Sequence, residues 1–245
     1  MLFRSNRLSV RNNVQKDVGS HPVDFIALPV AADQLRSAMN DTTLGDGIWL
    51  YGAPDRQALV LTRRQPKGAV ELRYLPVADL RQDAEGQIRF DRCEWKPSLP
   101  LALWEDEAIL IEGDRTHWLS DWHDERAWLG AIHRSRYSNG LIGLTTQLLD
   151  FGPSERLRSD LLVFAANHWN FNVRGFNPGG NHGSLLRVST HSALMFAGGK
   201  ETGVPQGARI ETPYDSLSLV PTILTLMDKS ESDLPGPVIQ ELLPR

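Results

Sequence analysis

Apolar and polar positions along this chain change rhythm several times, and each rhythm predicts an element. Val23-Asp24-Phe25-Ile26-Ala27-Leu28, set between Pro22 and Pro29, predicts a strand. Residues 31 to 39, with Leu35 and Met39 four apart, predict a helix after it. Three short apolar runs follow, Ile48 to Tyr51, Ala58 to Leu61 and Val70 to Tyr74. Turn signals at Gly52-Ala53-Pro54-Asp55 and Gln65-Pro66-Lys67-Gly68 separate them, so they predict an antiparallel meander. Residues 79 to 100 read as a polar connector with a turn at Ala84-Glu85-Gly86. From Trp118 the spacing is helical: Trp118, Trp122, Leu129 and Ile132 share a face, Asp121, Asp124, Glu125 and Arg126 look outward, and Ser120 or Asp121 is the N-cap. A second helix is expected from Gly140 to Leu149. The run 160 to 166 is apolar on both faces, as in a strand buried within a parallel or mixed sheet, and 193 to 197 reads the same way. Ser216 to Met227 predicts the last helix, with Leu217, Val220, Leu224 and Met227 on one side.

This order predicts the α/β class: a three-layer sandwich, incomplete because only its C-terminal part is present, whose sheet holds strands 23 to 28, 161 to 166 and 193 to 197. Residues 6 to 45 and 116 to 230 would form the core, 46 to 115 an inserted β meander or cap with its connector, and 231 to 245 a tail. Residues 1 to 5 read as a non-native scar on a chain that has lost its N-terminus. The 245 residues are 41% hydrophobic and 23% charged, which excludes disorder and fibrous classes. A net charge of -4 provides no basic field for nucleic acid. One cysteine, Cys93, allows neither an intrachain disulfide nor a thiolate zinc cluster. No run approaches the ~20 apolar residues of a membrane span, and MLFRSNRLSV holds no signal-peptide stretch. The compartment is left open, since a leader could have been lost with the N-terminus.

Candidate chemistry gathers after strand 161 to 166. The segment 167 to 184 carries Trp169, then Gly179-Gly180-Asn181-His182-Gly183-Ser184, where glycines let the backbone crowd close to whatever the His182 imidazole binds. The competing reading is a surface turn with a solvated His182. His191, nine residues on, fits no compact metal pattern and reads better as a structural residue at a strand entrance. The segment from His117 to Glu125 also collects ligand types. On a helix His117 and Asp121 share a face while Asp124 and Glu125 do not, so one metal could not gather them all. The chain contains no Gly-x-Ser-x-Gly elbow, phosphate-binding P-loop or HExxH motif.

His182-Gly183-Ser184, then Thr190-His191 with the run to Gly198-Gly199, then Gly207, Ile210 and Tyr214 to Leu224 with its Pro221-Thr222-Ile223-Leu224, resemble the C-terminal part of the alkaline phosphatase superfamily. The likeness is strongest to its type I phosphodiesterase and nucleotide pyrophosphatase branch and to its one-domain phosphatases. It covers about residues 160 to 228. The resemblance implies two divalent metal ions, usually zinc, held by three Asp, three His and a nucleophilic Thr or Ser, acting on a small-molecule phosphoester. It makes His182 a metal ligand, and Asn181, Gly183, Ser184, His191 and Trp169 possible pocket residues. The family's nucleophile loop and its Asp-His-Gly loop are not in this chain. One ligand of seven cannot hold two metals, so the expectation is the C-terminal part of a phosphoric ester hydrolase, inactive as this chain, with catalytic residues only in its full-length parent. A non-catalytic α/β interaction module, presenting the meander and its tryptophans, is the alternative. A hydrolase built on His117, Asp121, His123 and Asp124 is a third.

Overall fold

The structure, a computed structural model, describes residues 3–4, 22–65, 69–101, 103, 115–149, 159–166, 169–170, 184–229, 234 and 236–244. The chain divides into two compact units, 1–190 and 191–245. The first is built on an open antiparallel sheet, so the protein is mixed α/β. In chain order its described elements are β1 (Phe3–Arg4), β2 (Val23–Val30), α1 (Ala32–Met39), β3 (Gly47–Ala53), β4 (Arg56–Arg64), β5 (Val70–Gln82), β6 (Ile88–Arg92), α2 (Arg115–Ser120), β7 (His123–Asp124), α3 (Glu125–Ile132), α4 (Gly140–Leu148), β8 (Leu162–Ala165), β9 (Trp169–Asn170) and α5 (Arg187–Thr190). The main sheet has seven strands in the order β6-β5-β4-β3-β2-β8, and β7 adds to β5. β1 and β9 form a separate pair.

The meander and the strand at 23 to 30 are thus one continuous sheet, with Ile26 opposite Tyr51 and Leu50 opposite Ala58. Every strand pair is antiparallel, where a parallel or mixed sheet was expected. β4 explains why the sheet holds: Gln57 to Leu61 are all buried, so it carries apolar side chains to both faces. Ala58 and Val60 join Phe25, Leu50, Tyr74, Trp128, Ile132 and Leu144 in one core, beneath α3 and α4. Leu59 and Leu61 join Leu35 of α1, Leu44, Leu75 and Val77 in a second core on the other face. Gly47 allows the close approach there: a Cβ would stand 2.8 Å from the Val60 carbonyl oxygen and 2.6 Å from Leu35 Cδ1.

Several expectations are corrected. The polar connector is a hairpin, because β5 runs on to Gln82 and β6 returns after a turn with Gly86 at φ 79. The helix expected from Trp118 is two helices broken by β7, where His123 and Asp124 pair with Leu72 and Glu71. The cap is neither Ser120 nor Asp121 but Asp124, whose carboxylate accepts from Ala127 N at 2.7 Å. The break sends Trp118 to the first core and Trp122 to the second. β8 ends the sheet as an edge strand among the described residues and is not buried on both faces: its Val163 is 41% exposed and Leu161, just before it, 48%.

The second unit holds α6 (Leu219–Leu226) and short 3-10 turns. Residues 193 to 197 join no strand ladder, and Met195 is 89% exposed, so the buried strand expected there is not formed. A 3-10 turn capped by Asp215, which accepts from Leu217 N at 2.8 Å, leads into α6. Its buried side is Ser218, Pro221 and Thr222, while Leu217, Val220, Ile223 and Met227 are exposed. Thr222 Oγ1 donates to Ser218 O at 2.6 Å and accepts from Ile239 N at 3.0 Å, which ties the C-terminal segment to the helix. Among the described residues no helix is long and apolar enough to cross a membrane.

Candidate functional site

Asn181, His182 and Gly183 lie outside the described residues, as does the side chain of Trp169. Both flanks of that segment are described, and they meet at one corner of the first unit. On the upstream side β8 ends at Ala165, opposite Val23, and Ala166 N donates to Pro22 O at 2.9 Å. On the downstream side Leu185 and Leu186 are buried in the first core. Arg187 N donates to Arg136 O at 2.7 Å, and Arg136 in turn reaches Asp24, the residue after Val23. Ser184 is half-buried; its Oγ accepts from Leu186 N at 3.0 Å, a local serine turn that starts α5. Thr190 closes α5 onto Ser138, hydroxyl to hydroxyl at 3.0 Å. His191 belongs to the second unit, where it is exposed.

A second group of candidates surrounds β7. His117 Nδ1 lies 2.7 Å from Asp121 Oδ2, the pair that the four-residue spacing brings onto one helical face. His123 sits deeper, its ring 4.0 Å from that of Trp118 and 5.6 Å, edge-on, from that of Trp128. Its Nε2 is buried with no hydrogen-bond partner. Burial pushes the His123 imidazole below the ordinary histidine range, and the His117 ring, 5.4 Å away, pushes the same way. Asp124 is engaged as the helix cap. The four residues therefore do not converge, and among the described residues no three His, Cys, Asp or Glu side chains are grouped to hold a metal ion.

Other reactive groups are muted. Burial pushes the Cys93 thiol up, away from the thiolate that a nucleophile needs. Burial likewise raises the Tyr74 phenol, whose OH donates to Pro100 O at 2.8 Å. A cleft of about 380 Å³ beside α1 is lined by Arg36, Asp46, Thr62 and Arg64, among others. Most of its polar groups serve the fold: Arg36 Nε donates to Leu44 O at 2.6 Å, and Asp46 Oδ1 accepts from Ala32 N at 2.9 Å.

Sequence reasoning missed the charge cluster at the corner where β2 begins. Asp24 Oδ2 accepts from Tyr137 OH at 2.6 Å and lies 3.4 Å from Arg136 Nη2, while Asp24 Oδ1 lies 3.4 Å from Arg56 Nη2. The one signal was an aspartate inside an apolar strand, since a buried carboxylate requires partners. The described tryptophans are packing residues: Trp49 Nε1 donates to Gln57, Trp122 lies under Arg63, and Trp128 Nε1 donates to Leu72 O. The sequence matches no protein-family model and no curated protein, and no solved structure matches it.

Proposed function

We propose that this chain is the C-terminal part of a metal-dependent phosphoric ester hydrolase, a phosphatase or phosphodiesterase of the alkaline phosphatase type. In that reading its α/β layers belong to a three-layer sandwich. The observation that carries it is the ordered series His182-Gly183-Ser184, Thr190-His191, and Pro221-Thr222-Ile223-Leu224. Two structural features support it. The described flanks of the His-Gly-Ser segment are both anchored in the first unit, Ala166 on Pro22 O just after β8 and Arg187 on Arg136 O, so the segment between them starts and ends on fixed backbone. Leu161, Val163, Leu217, Val220, Ile223 and Met227 are exposed apolar side chains, as expected of layers that a larger fold would cover.

Two zinc ions would act in the parent as Lewis acids on the phosphoryl oxygens. The donors in this chain do not fit that pair. Catalytic zinc takes three protein ligands per metal, and the motif offers His182 alone. His182 would give one nitrogen, and Ser184 would hold the start of α5 through its turn. With no nucleophile loop, no covalent phosphoryl intermediate can form on this chain. The purified chain should not turn over a chromogenic phosphate monoester or diester with added zinc, and turnover abolished by His182→Ala would overturn that. The parentage is tested by the in-frame upstream gene sequence, where a Thr or Ser nucleophile loop and an Asp-His-Gly motif are expected; an upstream frame with neither sinks the reading.

A non-catalytic interaction module is the second reading. The exposed side chains of α6 favour it, whereas the packed tryptophans of the meander do not.

A further inference from the structure

Asp24 has a side chain only 12% exposed, yet two guanidiniums and a phenol converge on it. One carboxylate balances one cation, so two arginines against one aspartate leave a formal surplus of one positive charge. Both arginines remain about one third open to solvent, Arg56 at 31% and Arg136 at 33%. A guanidinium has five N–H donors and Asp24 engages only part of them, so each side chain stays partly open to solvent while Asp24 fixes its orientation. Arg56 is fixed further, because its Nε donates to Ser98 O at 2.5 Å. It reaches across β3 past Gly52, where a Cβ would stand tightly, 3.3 Å from Arg56 Cζ and 3.3 Å from Asp24 O. The Arg136 backbone is itself fixed, because its carbonyl accepts from Arg187 N at 2.7 Å.

An ion pair built only to neutralise Asp24 would not need the second arginine. Planar guanidiniums with spare donors, held in place before any ligand arrives, match the oxygens of a tetrahedral oxyanion in fork geometry and lose little side-chain entropy on binding it. We propose that Arg56 and Arg136, oriented by Asp24 and Tyr137, form a binding site for a phosphate group at the corner where β2 begins and β8 ends. The site goes beyond the hydrolase reading: it needs no metal and no His182.

Titration calorimetry of the full chain with inorganic phosphate, at low ionic strength and with a chelator present, tests this. Saturable binding is expected. Arg56→Lys and Arg136→Lys, which keep a cation on Asp24 but lose the fork, should each weaken it about tenfold. Arg81→Lys, on β5 and paired with β6 far from β2, should leave it unchanged. Absence of saturation, or equal affinity in the double Lys variant, overturns the proposal. Should the variants lose their fold, the Nε–H resonances of the wild-type arginines decide: those of Arg56 and Arg136 should move with phosphate, and movement confined to other arginines refutes the site. The His182→Ala chain should bind phosphate as the wild type does, which separates failure here from failure of the hydrolase reading.

Discussion

The middle of the sheet and helix α6 are both apolar, but they treat that surface differently. On β4 every side chain from Gln57 to Leu61 is buried, because one helix layer covers each face of the strand. On α6 the polar and small residues Ser218, Pro221 and Thr222 are buried, while Val220 and Ile223 are 52% and 40% exposed. The buried side of α6 carries hydrogen bonds through Thr222, to Ser218 O and from Ile239 N. Apolar sequence is thus a demand for cover, and the sheet meets that demand while α6 does not.

The sharpest way to break this comparison is Leu59→Ala. Leu59 is fully buried in the second core, so its truncation should cost about 2–5 kcal/mol in chemical denaturation. Val220→Ala on the exposed side of α6 should cost under about 0.5 kcal/mol, as surface substitutions do. Equal losses would mean that α6 is packed in solution. Next in size, Tyr74→Phe removes the phenol from a fully buried site and strands Pro100 O, at a cost of about 1–3 kcal/mol. Asp124→Ala, which removes the cap of α3, should cost about 1 kcal/mol, whereas Ser120→Ala should change little. Reversal of those two would restore the single helix that the spacing suggested.

The smallest effect is on pH. His123 is held below its ordinary range, so below about pH 6.5 the unfolded chain takes up the proton before the folded one does. Stability should therefore fall as pH drops from 6.5 to the lower folded value, and should be level with respect to this group above 6.5. His123→Phe should flatten that part of a denaturation-midpoint profile. A profile as steep as the wild type would show that the proton is taken up elsewhere.

Strand periods were legible wherever one short range rule acted alone. The runs at Val23, Ile48, Ala58 and Val70 are strands because alternating or continuous apolar side chains bounded by Gly and Pro have few other uses. The spacing of His117 and Asp121 likewise placed them side by side. The break at residues 121 to 124 was not legible, because β7 forms only when Leu72 and Glu71 offer backbone partners from far along the chain. For the same reason 193 to 197, which has the composition of a buried strand, joins no ladder.

By itself the sequence determined the strands at 23, 48, 58 and 70, a net charge that gives no basic field, a single cysteine that allows no intrachain disulfide, and the motif series that suggests a phosphoester hydrolase. Only the tertiary structure decided that all main-sheet strands run antiparallel, that Asp124 and not Asp121 caps a helix, and that Asp24 gathers Arg56, Arg136 and Tyr137 from 32 to 113 residues away. Periodicity and composition act between neighbours on the chain. Strand direction and charge partnership depend on which distant groups the fold brings within a few ångströms.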